Sequence, residues 1–276
     1  MAGKAVRCIV ISGHGTNCEM ETAHGCRMGG AEVADIVHIS RLIHGEVCLE
    51  DYHLLCLAGG FLDGDDLGAA QAGANRIRHA RVASTGERLF DHFMRFIEAG
   101  KLILGICNGF QIMVKLGLLP ALDGRYGQRD VTITFNDSGR FEDRWVYMRV
   151  EQSSPSVFTR DLKKLYLPVR HGEGKFFPRD DEVMRVIEDR HLVSLRYCDR
   201  NYRSPTMSYP ENPNGSIRAV AGISDESGRL MGLMPHPEAY LYFTNHPRWT
   251  RGEAEEEGMG VAIFRNAVNY IRKNLL

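Results

Sequence analysis

The sequence predicts an α/β fold: an open, mostly parallel sheet flanked by helices, with an antiparallel extension, forming one domain over residues 1–276. Three observations carry that expectation. Strand-like and helix-like segments alternate through the first 120 residues, the pattern of right-handed βαβ units. "KLILGIC" at 101–107 is an uninterrupted apolar run, the kind of strand buried on both faces of a parallel sheet. From about residue 121 the texture changes to short strand-like runs separated by turns such as "NDSG", "NPNG" and "SDESG".

In chain order, "AVRCIVIS" reads as the first strand and "NCEMETAHGCRMGG" as a helix stopped by a glycine. "EVADIVHIS" and "HLLCLAGG" are the second and third strands. "DDLGAAQAGANRIRHARV" and "TGERLFDHFMRFIEAG" read as helices, the latter with Leu89, Phe93, Phe96 and Ile97 on one face. Beyond the apolar strand, "RDVTITFND", "RWVYMRVE", "KLYLPVR", "HLVSLRYCD", "GSIRAVAGIS" and "RLMGLMPHPE" are expected to extend the same sheet with antiparallel strands. The polar stretch 246–258 is expected as a surface loop, and "GMGVAIFRNAVNYIRKNLL" as an amphipathic helix packed back on the sheet.

Composition narrows the function classes. Basic residues number 34 and acidic residues 35, so no global field favours nucleic acid or an anionic membrane. No apolar run approaches the roughly 20 residues needed to cross a bilayer, and the N-terminal strand is too short for a signal segment. The seven cysteines are scattered and form no C-x-x-C, which argues against a disulfide framework or a structural zinc site and for a reducing, cytoplasmic setting. No metal is expected.

The chemistry begins at "GICNGF", residues 105–110. A cysteine closing an apolar strand is ordinarily a small buried hydrophobe. Here Gly105 and Gly109 flank Cys107 at −2 and +2, the spacing of a nucleophile elbow, in which small neighbours let one side chain project from a sharp strand-to-helix turn. A helix starting there points its positive end at the sulfur, and the Asn108 backbone N–H is placed for a developing oxyanion. "MPHPEAY" at 234–240 offers the base: prolines on both sides favour extended backbone, so His236 and Glu238 share a side. An imidazole oriented by a carboxylate is what a thiol nucleophile requires. "LAGG" after the third strand places Gly59 and Gly60 in a loop able to approach a ligand closely.

On these motifs the chain resembles the class I (triad) glutamine amidotransferases, and among them the glutaminase subunits of phosphoribosylformylglycinamidine synthase, the PurQ type. "GICNGFQ" from Gly105 to Gln111 is the nucleophile motif, and "GTNCE", "GGFLDGDDLGA", "HGEGKFF" and "MPHPE" follow the family order across nearly the whole chain. The chain departs from the family pattern at Ala58, Leu62, Asp63 and Ala239, which bears on docking to the partner. The resemblance implies a flavodoxin-like amidotransferase fold, Cys107 as nucleophile, His236 as acid and base, and Glu238 as its orienter. It further implies Gly60 and Asn108 N–H groups as the oxyanion hole, and Gly59, Phe61, Gln111, His171 and Glu173 around L-glutamine.

The implied reaction is hydrolysis of the glutamine side-chain amide through a γ-glutamyl thioester. No G-x-x-x-x-G-K-[ST] loop is present, so no cofactor is expected in this chain. By resemblance, ATP and Mg belong to a separate synthetase subunit of the PurL type, often joined by a small PurS-type subunit. Three alternatives stay open: an amidotransferase subunit for another acceptor, a free-standing cysteine hydrolase or redox-responsive protein, and a catalytically silent regulatory subunit.

Overall fold

The structure, a computed structural model, describes residues 5–252 and 256–276. Among the described residues, eleven strands and seven helices follow in order: β1 (Arg7–Ser12), α1 (Glu19–Met28), β2 (Val33–His38), α2 (Ile39–Ile43), β3 (Leu54–Leu57), α3 (Gln71–His79), α4 (Leu89–Glu98), β4 (Leu102–Ile106), α5 (Asn108–Leu116), β5 (Val131–Phe135), β6 (Glu142–Val150), β7 (Lys164–His171), β8 (Glu173–Pro178), α6 (Asp181–Asp189), β9 (Val193–Tyr197), β10 (Val220–Ser224), β11 (Leu230–Leu233) and α7 (Val261–Asn274).

Nine strands make one sheet in the order β2-β1-β3-β4-β11-β10-β9-β6-β7. The first five are parallel. The rest are antiparallel. The expected sheet is therefore present, with two corrections. "RLMGLMPHPE" is not part of the antiparallel extension: β11 pairs parallel with β4, Leu233 opposite Ile106, and forms the seam between the two halves. "RDVTITFND" leaves the sheet: β5 pairs only with β8 as a two-stranded ribbon. Val131 and Ile133 are buried while Thr132 is exposed and Thr134 half-buried, the alternation of a ribbon with one wet face.

The core strands read as expected. Every residue of β3, β4 and β11 is buried. The helix over 65–82 shortens to α3 because Gly68 and Ala70 take positive φ (93° and 65°), which a helix interior excludes. α4 likewise starts only at Leu89, after Gly86 turns at φ 75°, and buries the expected Leu89, Phe93, Phe96 and Ile97. α6 was not expected; Asp180 caps it through the Val183 N–H (2.7 Å), and its single apolar face is short. α7 packs closely on α1: a Cβ on Gly25 or Gly29 would come within 2.6 to 2.7 Å of Phe264. In the 246–258 stretch, Trp249–Arg251 form a short 3-10 turn and residues 253–255 lie outside the described residues.

Candidate active site

The elbow follows from sterics. β4 ends at Ile106, Cys107 takes φ 50° and ψ −105°, and α5 starts at Asn108. Such a backbone state persists only where its surroundings over-determine it. A Cβ on Gly105 would lie 2.5 Å from Met113 Sδ, and one on Gly109 would lie 1.9 Å from the Leu57 carbonyl oxygen. The G-x-C-x-G spacing is thus a packing requirement of helix against strand. The Cys107 N–H donates to the Leu233 carbonyl (2.8 Å), tying the bend to β11. Its thiol lies 3.6 Å from the Arg170 carbonyl oxygen.

Because β11 neighbours β4, the chain that continues past Leu233 arrives beside the elbow. His236 Nδ1 and Glu238 Oε1 are 2.6 Å apart, and both residues are buried. The expected extended geometry holds only for His236 (φ −103°, ψ 93°); Pro237–Ala239 form a 3-10 turn. Proline suits the first position of such a turn, where its fixed φ fits and no N–H is needed. The pairing therefore stands on a turn rather than on strand alternation.

His236 Nε2 has no hydrogen bond of standard geometry. Burial disfavours the imidazolium, but the Glu238 carboxylate and the Cys107 sulfur outweigh it and hold the His236 pKa well above the ordinary histidine value. His171 behaves oppositely. Burial, assisted by the charge of His236, pushes its pKa down to about 3, so it is neutral. Its Nδ1 lies 3.1 Å from Asn136 Oδ1 and its Nε2 3.4 Å from Asn214 Nδ2, contacts that one neutral tautomer satisfies together. Asn136 also donates to the His171 carbonyl (2.8 Å) and accepts from the Gly174 N–H (3.0 Å), which pins the "HGEG" bend.

A cavity of about 790 Å³ opens over these groups, a size suited to a small ligand. Cys107, His236 and Glu238 line it, and so do Gly60, Phe61, Gln111, His171 and Glu173. The expected site residues Gly59 and Asn108 stand behind the wall. A Cβ on Gly59 would lie 2.9 Å from the His236 ring, so this glycine makes room for the imidazole. Gly60, at φ 132°, approaches the Gly13–Asn17 loop so closely that a Cβ would lie 2.6 Å from the Gly15 carbonyl oxygen. The Asn108 side chain is spent on structure: Oδ1 accepts the Leu62 N–H (3.0 Å) and Nδ2 donates to Gln111 Oε1 (3.0 Å). Gln111 in turn donates to the Glu173 carbonyl (2.5 Å), and Glu173 Oε1 accepts the Ala69 N–H (3.0 Å). These bonds lock elbow, glycine loop and β8 into one wall.

At the positions that depart from the family pattern, Leu62 is accommodated by glycines. Its side chain lies where a Cβ on Gly13 would be, at 2.4 Å, and its carbonyl abuts Gly73. Asp63, at φ 62°, pairs with Arg76 (2.9 Å). Ala239 lines the cavity. Sequence reasoning missed Cys18, whose Sγ lies 3.9 Å from His236 Nδ1, and the mouth residues Arg140 and Arg170. It also missed Asn136 behind His171. Asn136 reads in sequence as an ordinary turn residue; "GTNCE" was the only local signal for Cys18.

Residues 5–271 match the family of CobB/CobQ-like glutamine amidotransferase domains. Curated relatives include a phosphoribosylformylglycinamidine synthase subunit PurQ of Methanococcus maripaludis, 42% identical over 96% of this chain and 97% of its own length. A second, from Dehalococcoides mccartyi, is 41% identical over 97% of this chain and 98% of its own. The chain belongs to the PurQ family of glutamine amidotransferases. A solved structure of PurLQS from Thermotoga maritima superposes on it with a TM-score of 0.68 at 27% identity, covering 97% of this chain and all of that one. A glutamine amidotransferase structure from the same organism, at 17% identity and a TM-score of 0.55, shares the fold. As a PurQ-family member the chain has an α/β sheet whose seam carries the cavity. Among the described residues no helix is long and apolar enough to cross a membrane, and all seven cysteines are free.

Proposed function

We propose that this chain is the glutaminase subunit of phosphoribosylformylglycinamidine synthase. It hydrolyses L-glutamine to glutamate and passes ammonia to an ATP-dependent synthetase subunit, which converts formylglycinamide ribonucleotide to formylglycinamidine ribonucleotide in purine synthesis. One observation carries the reading: a thiol on a strained elbow shares a small cavity with a buried imidazole–carboxylate pair.

In this mechanism the Cys107 thiolate attacks the side-chain amide carbon. The α5 N-terminus supplies the Asn108 N–H, which has no intrahelical acceptor, and the glycine loop supplies the Gly60 N–H to the tetrahedral oxyanion. His236, protonated and held by Glu238, gives its proton to the departing ammonia and leaves a γ-glutamyl thioester. The raised His236 pKa suits this acid role at neutral pH. The same imidazole then takes a proton from water as it opens the thioester. Phe61, Gln111, His171 and Glu173 shape the glutamine pocket, with Gly59 setting the depth of the imidazole. ATP and Mg act on the synthetase subunit, a small third subunit completes the assembly, and the complex is cytoplasmic.

Glutamine-dependent γ-glutamyl thioester on Cys107, trapped by acid quench and located by peptide mass, tests the reading. A chain that releases glutamate without any acyl-enzyme, or that carries the label on another cysteine, would refute it. Glutamate release is expected to rise when the synthetase is added, because uncoupled hydrolysis wastes glutamine; equal rates would argue for a free-standing hydrolase.

A further inference from the structure

Cys18 is a nucleophilic side chain in this cavity that the glutaminase mechanism leaves unused. It precedes α1, half-buried, with its Sγ 3.9 Å from His236 Nδ1, and it lines the same cavity as Cys107. Donor atoms of Cys18, His236 and Glu238 all lie within 4.8 Å of one another. Thiolate, imidazole and carboxylate are the three ligand types that suit Zn²⁺, and the neighbouring cavity leaves a fourth position for water. Glu238 also has a second carboxylate oxygen, buried and without a hydrogen bond. Gly59 stands behind the cluster: a Cβ there would lie 3.3 Å from Cys18 Sγ and 2.9 Å from the His236 ring, so any side chain at this position would crowd the donors.

We infer that Cys18, His236 and Glu238 form a capture site for Zn²⁺ or another thiophilic divalent cation, and that occupancy silences the active site. In the free protein, Nδ1 and the carboxylate share a proton at 2.6 Å. Two tetrahedral zinc ligands at about 2.0–2.1 Å from the metal sit about 3.3 Å apart, so binding replaces that proton and opens the 2.6 Å pair by about 0.7 Å. The Cys18 thiol gives up its proton to become a ligand. Metal binding stands on the geometry alone; inhibition also rests on the glutaminase reading. The nucleophile stays free, but its imidazole is held by the metal and turned from its orienting carboxylate.

The two parts are tested separately. In Cys107→Ser, Co²⁺ is expected to give a thiolate-to-cobalt charge-transfer band, and in Cys18→Ser, with Cys107 intact, no such band. A band that persists in Cys18→Ser, or that is missing from Cys107→Ser, would overturn the assignment, the first by pointing to Cys107 as ligand. In the unsubstituted chain, Zn²⁺ should slow iodoacetamide alkylation of Cys18 as located by peptide mass, a readout that needs no variant; unchanged Cys18 labelling would count against the site. For inhibition, chelator-reversible loss of glutaminase activity in the assembled synthase is expected, with the Zn²⁺ needed for half-inhibition rising at least about 10-fold in Cys18→Ser, since losing a direct ligand costs no less than losing an outer-shell partner. Inhibition of equal potency in both proteins would place the inhibitory metal elsewhere.

Discussion

The two halves of the sheet hold their shares of the active site by different physics. On the parallel side the elbow is fixed by backbone crowding: Gly105 and Gly109 have no room for a Cβ, and Cys107 is forced to φ 50° between them. On the antiparallel side, the "HGEG" bend is fixed by polar bonds, with His171 held between Asn136 and Asn214 and the Gly174 N–H on Asn136. His236 belongs to the seam, reached only because β11 lies between the two halves. Crowding leaves a short-range pattern in sequence, whereas a polar network draws its members from distant turns and leaves almost none.

The largest effect that sharpens this contrast is chemical. Cys107→Ala is expected to lower glutamine hydrolysis about 10,000-fold or more in the assembled enzyme, since the nucleophile and its base act as a unit. A residual rate within tenfold of the starting protein would mean the elbow does not carry the reaction. Glu238→Gln should cost somewhat less, about 100- to 10,000-fold in kcat, by removing the charge that stabilises the imidazolium while keeping the shape. It should also shift the alkaline limb of the pH–rate profile downward, because the His236 pKa loses the Glu238 contribution that raises it. An unmoved limb would show that Glu238 only fills space.

Next comes a paired stability test. Gly109→Ala must push a methyl into the Leu57 carbonyl, where a Cβ would sit at 1.9 Å, and is expected to cost more than about 3 kcal/mol by denaturant unfolding. Gly172→Ala, whose Cβ would meet nothing nearer than Phe141 at 4.0 Å, should stay within about 0.5 kcal/mol. Equal costs would erase the distinction between a crowded elbow and an open bend.

The smallest effect concerns pH. His171 is buried neutral with a pKa near 3, while the unfolded chain takes up its proton near 6.5. A depressed folded pKa means stability is complete above the unfolded value and is lost as pH falls from there toward 3. At pH 5 the loss from this group is about 2 kcal/mol relative to pH 8. His171→Gln should flatten the acid side of the stability curve by that amount, read from unfolding at both pH values. His236, with its raised pKa, contributes in the opposite sense: its share is present at low pH and lost as pH rises through the folded value. An unchanged acid slope in His171→Gln would mean that the ring is protonated in the folded protein.

Legibility followed the same division. The first three strands, the β4 strand, α4 and the elbow were all apparent from runs of apolar residues and a glycine spacing. α6 leaves little trace in the sequence, because its nine residues bury only Val183, Met184 and Ile187, too short a stripe to stand out. The direction of β11 is not legible, because four residues, "LMGL", read alike beside a parallel or an antiparallel partner. The proline-flanked pair is legible from its spacing, but the turn at Pro237 rather than strand alternation brings Glu238 to His236.

Local pattern, in the end, set the α/β class, the buried strands, the bend that raises Cys107, and the imidazole–carboxylate pair two residues apart. Folding decided that those two features meet, because only the insertion of β11 beside β4 carries residue 236 to residue 107. It also decided that Cys18 joins them, that the Asn108 side chain serves as a strut, and that His171 is neutral. Sequence periodicity reports which groups neighbours along the chain can bury; strand order, burial and the charges that shift a pKa arise between segments far apart in sequence, so they exist only once the chain has closed on itself.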